Sequence, residues 1–326
     1  MNMMRPFYFL GLIIWAVSSH LTYAQTASNY PTKPIKIIVG FSPGGSADAV
    51  GRSLAEAFST RLGQPVVVEN RAGANGNIAA ETVARAAPDG YTLYFPSIGH
   101  AVNVSLYKNL PYDPIKDFTS IGGVFSAPNM LVVPMSSPYK TVSEIIAAAK
   151  ANPGKLNFGS GGSGSSTQLA AEVFKTEAGV SITHIPYRGA GAAASSLLAG
   201  QIDMLITAAP TAIPHITSGR TRALAITGKD RLQILPEVPT FSEAGLPSFN
   251  IVNWFGLAAP KGTPPAIVNK IRDLVAEAMK DPNLRNNFAK QGAAFNEMSV
   301  ETFGNFVNSE IVKWSEEGNK AGVKPE

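Results

Sequence analysis

Two apolar rhythms alternate along this chain. Short, nearly continuous apolar runs read as buried strands. Longer stretches with an apolar residue every three or four positions read as helices that bury one face. Ile35–Val39 is the first run of the former kind. Val50, Leu54, Phe58 and Leu62 then recur at four-residue intervals and predict a helix over Ser46–Leu62. Residues 65–69 are rich in β-branched side chains and predict a second strand. Small residues over 77–87 predict a helix stopped by Pro88-Asp89-Gly90, with a strand at 91–95. Between 120 and 133, two apolar runs are split by Ala127-Pro128-Asn129. Thr141, with Glu144 three residues on, is a capping box that opens a helix ending near Asn152-Pro153-Gly154.

The second part of the chain keeps the same rhythm. Strands are predicted at 156–159, 181–186, 201–207 and 222–227, with helices at 165–178 and 190–199 stopped by Gly179 and Gly200. After a proline-rich stretch, 249–259 predicts a long apolar strand. Pro264-Pro265 opens a helix with Ile267, Ile271, Leu274 and Ala278 on one face. The tail predicts a short helix, a strand near 293–298 and a last helix carrying Phe303, Phe306, Ile311 and Trp314. Such alternation predicts an α/β fold with mainly parallel sheets and helices on both faces.

Ligands in such folds lie beyond the carboxyl ends of strands. Two glycine-rich turns fall there. Phe41-Ser42-Pro43-Gly44-Gly45-Ser46-Ala47-Asp48 follows the first strand, and Gly159-Ser160-Gly161-Gly162-Ser163-Gly164-Ser165-Ser166 repeats the device in the middle of the chain. Glycines at a helix start leave backbone N–H groups bare at the positive end of the helix dipole, a ready site for an anion.

The ends and the composition narrow the setting. Arg5 is the only charge in the first 24 residues, followed by an apolar run too short to span a bilayer and by Thr22-Tyr23-Ala24. This reads as a secretory signal peptide over 1–24, cut near Ala24. Without cysteine there is neither a disulfide nor a lipid-bearing N-terminal Cys. Removing the leader leaves about 300 residues, which favours two domains. The net charge of +4 is spread without a basic stripe, so nucleic acid is not an expected partner. No acidic cluster or H-x-x-x-H spacing suggests a metal.

Enzyme readings are weaker than binding. Residues 159–164 match G-x-G-x-x-G, but no acidic residue follows the next strand to hold a ribose. A serine hydrolase needs a His base and a carboxylate orienter. G-x-S-x-G is absent around Ser160, Ser163, Ser165 and Ser166, and His100, His184 and His215 read as hydrogen-bonded structural histidines. No cofactor is expected.

Longer motifs then carry a resemblance. Pro34-Ile35-Lys36-Ile37-Ile38-Val39-Gly40-Phe41-Ser42-Pro43-Gly44-Gly45, Val66-Val67-Val68-Glu69-Asn70-Arg71-Ala72-Gly73-Ala74-Asn75-Gly76, Pro111-Tyr112-Asp113-Pro114 and His184-Ile185-Pro186-Tyr187-Arg188-Gly189 occur in order, followed by Leu235-Pro236-Glu237-Val238-Pro239-Thr240 and Gly256-Leu257-Ala258-Ala259-Pro260. From about residue 31 onward the chain resembles the Bug-type substrate-binding proteins of tripartite tricarboxylate transporters. The resemblance implies a type II periplasmic binding fold: two lobes, 30–126 plus 254–326 and 127–253, with hinge crossovers near 127–130 and 249–253. It implies a periplasmic receptor, expected to be a monomer and not an enzyme, that closes on a small organic acid and delivers it to membrane permease subunits. A periplasmic sensor and, more remotely, a secreted hydrolase remain alternatives. By matching motif, the ligand contacts are Phe41, Ser42, Gly44, Gly45, Gly73, Ala74, Asn75 and Ser97 from one lobe. Gly162, Ser163, Gly164, Ser165, Tyr187 and Arg188 come from the other. Asp48 is either a cap or a contact. Many relatives carry an acidic residue near Thr207, where this chain has Ile206-Thr207-Ala208-Ala209. That difference implies an acid without an ammonium group. Gln168, where relatives often have His, is a second difference.

Overall fold

A computed structural model describes residues 29–162 and 165–320. The expected signal peptide, with its cleavage near Ala24, and Ser163 and Gly164 lie outside the described residues. The order of elements is β1 (Ile35–Val39), α1 (Ser46–Leu62), β2 (Val66–Asn70), α2 (Asn77–Ala84), β3 (Thr92–Tyr94), α3 (Ile98–Leu106) and β4 (Phe118–Pro134). Next come α4 (Val142–Ala151), β5 (Asn157–Ser160), α5 (Ser166–Ala178), β6 (Thr183–Pro186), α6 (Ala190–Leu198), β7 (Met204–Ala208), α7 (Ala209–Thr217) and β8 (Thr221–Ile226). The chain finishes with β9 (Val252–Pro260), α8 (Pro265–Met279), α9 (Pro282–Lys290), β10 (Ala294–Met298) and α10 (Val300–Lys320).

The strands lie in the order β2-β1-β3-β9-β4-β7-β5-β6, with β8 and β10 each joined to β4. The outer groups are parallel: β1 with β2 and β3, β5 with β6 and β7. Antiparallel pairing is confined to the ladders that involve β4 and β9. β4 joins the two groups. Its residues from Phe118 to Pro128 face β9, and from Asn129 onward it faces β7 and β8. The two apolar runs read from the sequence are therefore one strand. Pro128 is tolerated because its missing N–H falls at the handover, opposite Val252 at the start of β9, where no central ladder bond is lost.

Helix faces follow the predicted periods. Val50, Leu54 and Phe58 of α1 are buried against Ile37, Val39 and the Ile271 and Leu274 face of α8. Gly63 and Gly179 end α1 and α5 in the left-handed conformation that glycine adopts without strain. A second core gathers Phe158, Phe174, Phe241 and Phe249. Among the described residues no helix is long and apolar enough to cross a membrane.

Candidate functional site

Five strand-to-helix junctions open on one small cavity. Phe41, Gly45, Ser46 and Ala47 line it between β1 and α1, and Ser97 between β3 and α3. Gly161, Ser165, Ser166 and Thr167 come from the β5–α5 turn, Ala190 from the start of α6, and Thr207 and Ala208 from the end of β7, just before α7. Asn253 and Phe255 of β9 complete the wall. The topology makes this convergence. Parallel strands point their carboxyl ends the same way, and each is followed by a helix whose first-turn N–H groups have no partner within the helix.

Among the described residues the wall contains no charged side chain. Its polarity comes from helix ends, each worth up to about half a positive charge, and from hydroxyls. Thr207 is 1% exposed and its Oγ1 has no hydrogen-bond partner. Ser97 stands at the N-cap of α3 but does not cap it, so its hydroxyl is free of that duty. The cavity measures about 40 Å³, which is room for about three water-sized groups.

The glycine turns do less, and their neighbours more, than the sequence suggests. The Gly44 N–H donates to Asp48 Oδ2 at 3.0 Å. Asp48 Oδ1 accepts from Asn70 Nδ2 at 2.9 Å and from Arg52 at 2.8 Å. Burial pushes the Asp48 carboxyl up, but those donors outweigh it and hold it below the usual range. Asp48 thus shapes the turn and is absent from the wall. In the second turn, the Gly161 N–H donates to Thr167 Oγ1 at 2.7 Å and the Gly162 N–H to Ser160 Oγ at 3.1 Å. Ser165 caps α5 by accepting from the Gln168 N–H at 3.2 Å. Loop amides are spent on the protein's own oxygens, leaving first-turn amides and hydroxyls for a guest.

Of the residues expected at the site, Phe41, Gly45, Ser97, Ser165 and Thr207 line the cavity. Ser42 and Arg188 instead close over it: Ser42 Oγ donates to the Arg188 carbonyl, joining the β1–α1 and β6–α6 turns. Gly44, Gly162 and Tyr187 sit behind the wall; the Tyr187 N–H donates to the Ser160 carbonyl at 3.0 Å. Gly73, Ala74 and Asn75 are not on the wall. Asn75 is turned onto α3, donating through Nδ2 to Asn103 Oδ1 at 2.7 Å. Ser163 and Gly164 lie outside the described residues. Ser46, Ala47, Gly161, Ser166, Thr167, Ala190, Ala208, Asn253 and Phe255 line the cavity without having been expected there. The signal for Asn253 was an amide, with Asn250 three residues before it, within the apolar run 249–259.

His184 and His100 are both engaged within the protein. Gln168 Nε2 donates to His184 Nδ1 at 3.3 Å, so the proton lies on Nε2, which donates to Ser160 Oγ at 2.6 Å. Ser160 in turn donates to the Gly162 carbonyl at 3.0 Å. Burial, with Lys175 adding and Glu172 opposing, holds the imidazole below the ordinary histidine range. His100 stacks on Tyr112 at 5.8 Å between ring centroids, and burial lowers its pKa to about 4. Among the described residues no group of His, Asp and Glu could hold a metal ion.

Residues 50–322 match the family described as Tripartite tricarboxylate transporter family receptor. The chain belongs to this family. BugT of Bordetella pertussis is 37% identical over 326 residues, covering 99% of each chain. Among solved structures, Rpa4515 of R. palustris with adipate is 34% identical with a TM-score of 0.88, covering 91% of this chain and all of the other. MatC from Rhodopseudomonas palustris with bound malate is 33% identical with a TM-score of 0.83, covering 89% of this chain and all of the other. The α/β periplasmic-binding fold and the Bug-type resemblance read from the sequence are those of this receptor family.

Proposed function

We propose that this receptor works in the periplasm, holds the carboxylate of a small organic acid between two lobes and delivers the closed complex to membrane permease subunits. The observation that carries the reading is the convergence of five helix N-termini on a cavity with no charged side chain. Hydrogen bonds to an ionised group contribute about 1.5–3 kcal/mol each. Several converging donors therefore reach micromolar affinity, near −8 kcal/mol, after ordering costs. The adipate and malate in two family structures are both carboxylates, which supports the same chemistry here.

The lobes are residues 30–126 with 254–326, and 127–253. The hinges are 127–130, where β4 changes partners, and 249–253, which leads into β9. Phe41, Gly45 and Ser97 grip from one lobe, Ser165 and Thr207 from the other, and the Ser42–Arg188 bond latches them. Both lobes must contact the guest, because a ligand favours closure only by binding the closed form better. The chain is not an enzyme in this reading. Ser160, the serine beside a histidine, is fully buried, and its His184 is oriented by an amide instead of a carboxylate.

A thermal-shift screen of organic acids on the purified protein tests this. Stabilisation follows RT ln(1 + [L]/Kd), about 2.7 kcal/mol at a hundred times Kd, so a bound acid raises the melting temperature in a concentration-dependent way. A panel of mono-, di-, tri- and aromatic carboxylates that leaves the melting temperature unchanged would overturn it.

A further inference from the structure

Asn253 brings a side-chain oxygen that can only accept to a cavity lined by amides and hydroxyls, and its orientation is forced by its neighbours. The Ile251 carbonyl can only accept. It takes Asn129 Nδ2–H at 2.7 Å and Thr227 Oγ1–H at 2.8 Å. The nitrogen of the Asn129 amide is thereby committed, and its Oδ1 faces the other way. Oδ1 needs a donor, and Asn253 Nδ2 supplies it at 2.7 Å. The Asn129 backbone is fixed as well, its N–H donating to Thr227 Oγ1 at 2.8 Å and its carbonyl accepting from the Thr227 N–H at 2.8 Å. Flipping Asn253 would set oxygen against oxygen. Its Oδ1 is therefore an acceptor, on a residue that is 5% exposed and lines the cavity.

We propose that Asn253 makes the receptor selective for hydroxy acids, with the carboxylate at the helix N-termini and the hydroxyl proton donated to Asn253 Oδ1. This rests on the carboxylate reading above and names the substrate class within it. An acid without a hydroxyl leaves a fixed acceptor without a partner once water is excluded, a penalty that sites built to bond a hydroxyl impose on analogues lacking it. An ammonium in the same place could donate to Oδ1. It would, however, sit among positive helix ends with no carboxylate on the wall to balance it. Asn129 is the positioning residue that keeps Asn253 from rotating.

Calorimetry on the full protein with matched sets decides the matter: lactate, propionate and alanine; malate, succinate and aspartate; mandelate, phenylacetate and phenylglycine. In at least one set the hydroxy acid should bind roughly 5- to 100-fold more tightly than its deoxy and amino counterparts. In Asn129→Ala, and in Asn253→Ala where it folds, that ratio should fall toward one; the wild-type ratios stand whether or not the variants fold. Deoxy acids binding as tightly as their hydroxy partners, or amino acids binding most tightly, would overturn the selectivity and leave the carboxylate reading in place. No binding by any acid in the panel would overturn both.

Discussion

His184 shows how one side chain sets the shape of a binding turn without touching the cavity. Its neutral ring links Gln168 to Ser160, and Ser160 holds both the N–H and the carbonyl of Gly162. Burial keeps the ring's pKa below the ordinary 6.5. A group whose folded pKa is depressed contributes stability that is present above the unfolded value and lost as pH falls below it. His184 should therefore cost stability on acidification below about pH 6.5. Protonation also puts a second N–H on Nδ1, where the Gln168 amide already donates. The charged groups that face it are Glu172 and Lys175, both on α5. His184→Gln, which keeps a donor for Ser160 and cannot titrate, should lose less melting temperature between pH 7.5 and 5 than the wild type. Parallel curves for the two proteins would remove His184 as the cause. At this scale the first glycine turn was legible because glycine and serine between a strand and a helix have few other uses. The Asn253 contribution was not, because its meaning depends on Asn129, 124 positions away in sequence.

Among the elements, α10 is anchored by a single carboxylate. Glu310 Oε2 accepts from Trp254 Nε1 of β9 at 3.0 Å and from Trp314 Nε1 at 3.1 Å, and Ser105 Oγ of α3 donates to the Trp314 carbonyl at 2.7 Å. Glu310→Ala removes the one oxygen that both indole N–H groups share. An unpaired buried donor costs about 1–3 kcal/mol, so the variant should melt a few degrees lower, roughly 2–4 °C per kcal/mol in a domain of this order. Tryptophan fluorescence followed through thermal unfolding reads this directly, and a wild-type transition would show that Glu310 is not the anchor. Elements with a clean period were visible in the sequence: α1 through Val50, Leu54 and Phe58, α8 through Ile267, Ile271 and Leu274. The helix α3 was hidden. Ile98, Ala101 and Val102 are buried beside polar residues that are equally buried, His100 and Asn103, so no apolar stripe stands out. The helix α7 did not stand out in the sequence, because Pro210 and Pro214 remove two backbone donors from nine residues. The unbroken course of β4 was invisible because Pro128 normally interrupts a ladder; only the change of partner at that point makes it harmless.

For the molecule as a whole, the proposed closure depends on how near the two lobes can come. The β1–α1 turn and the start of α6 approach each other closely. A Cβ added at Gly191 would stand 3.0 Å from the Pro43 carbonyl oxygen and 3.3 Å from the Gly44 carbonyl carbon. At Gly189, where φ is +111, it would meet Ser42 Oγ at 3.0 Å. Gly45, on the opposite face of this contact, has room: its nearest neighbour would be the Ser42 carbonyl oxygen at 3.6 Å. Gly191 is the informative position, because it lies within α6 and is free of the positive φ that would strain another residue. Its lack of a side chain therefore serves the contact with the β1–α1 turn and not the helix. Gly191→Val should fold, since a β-branched residue in a helix is tolerated better than glycine, yet its methyl groups meet backbone that cannot move without parting the lobes. The expected result is a melting temperature near that of the wild type without ligand, an acid affinity lower by at least about tenfold, and a larger radius of gyration by X-ray scattering in saturating acid. A variant that compacts and binds like the wild type would mean that the lobes do not meet at Gly191 when the receptor holds its guest.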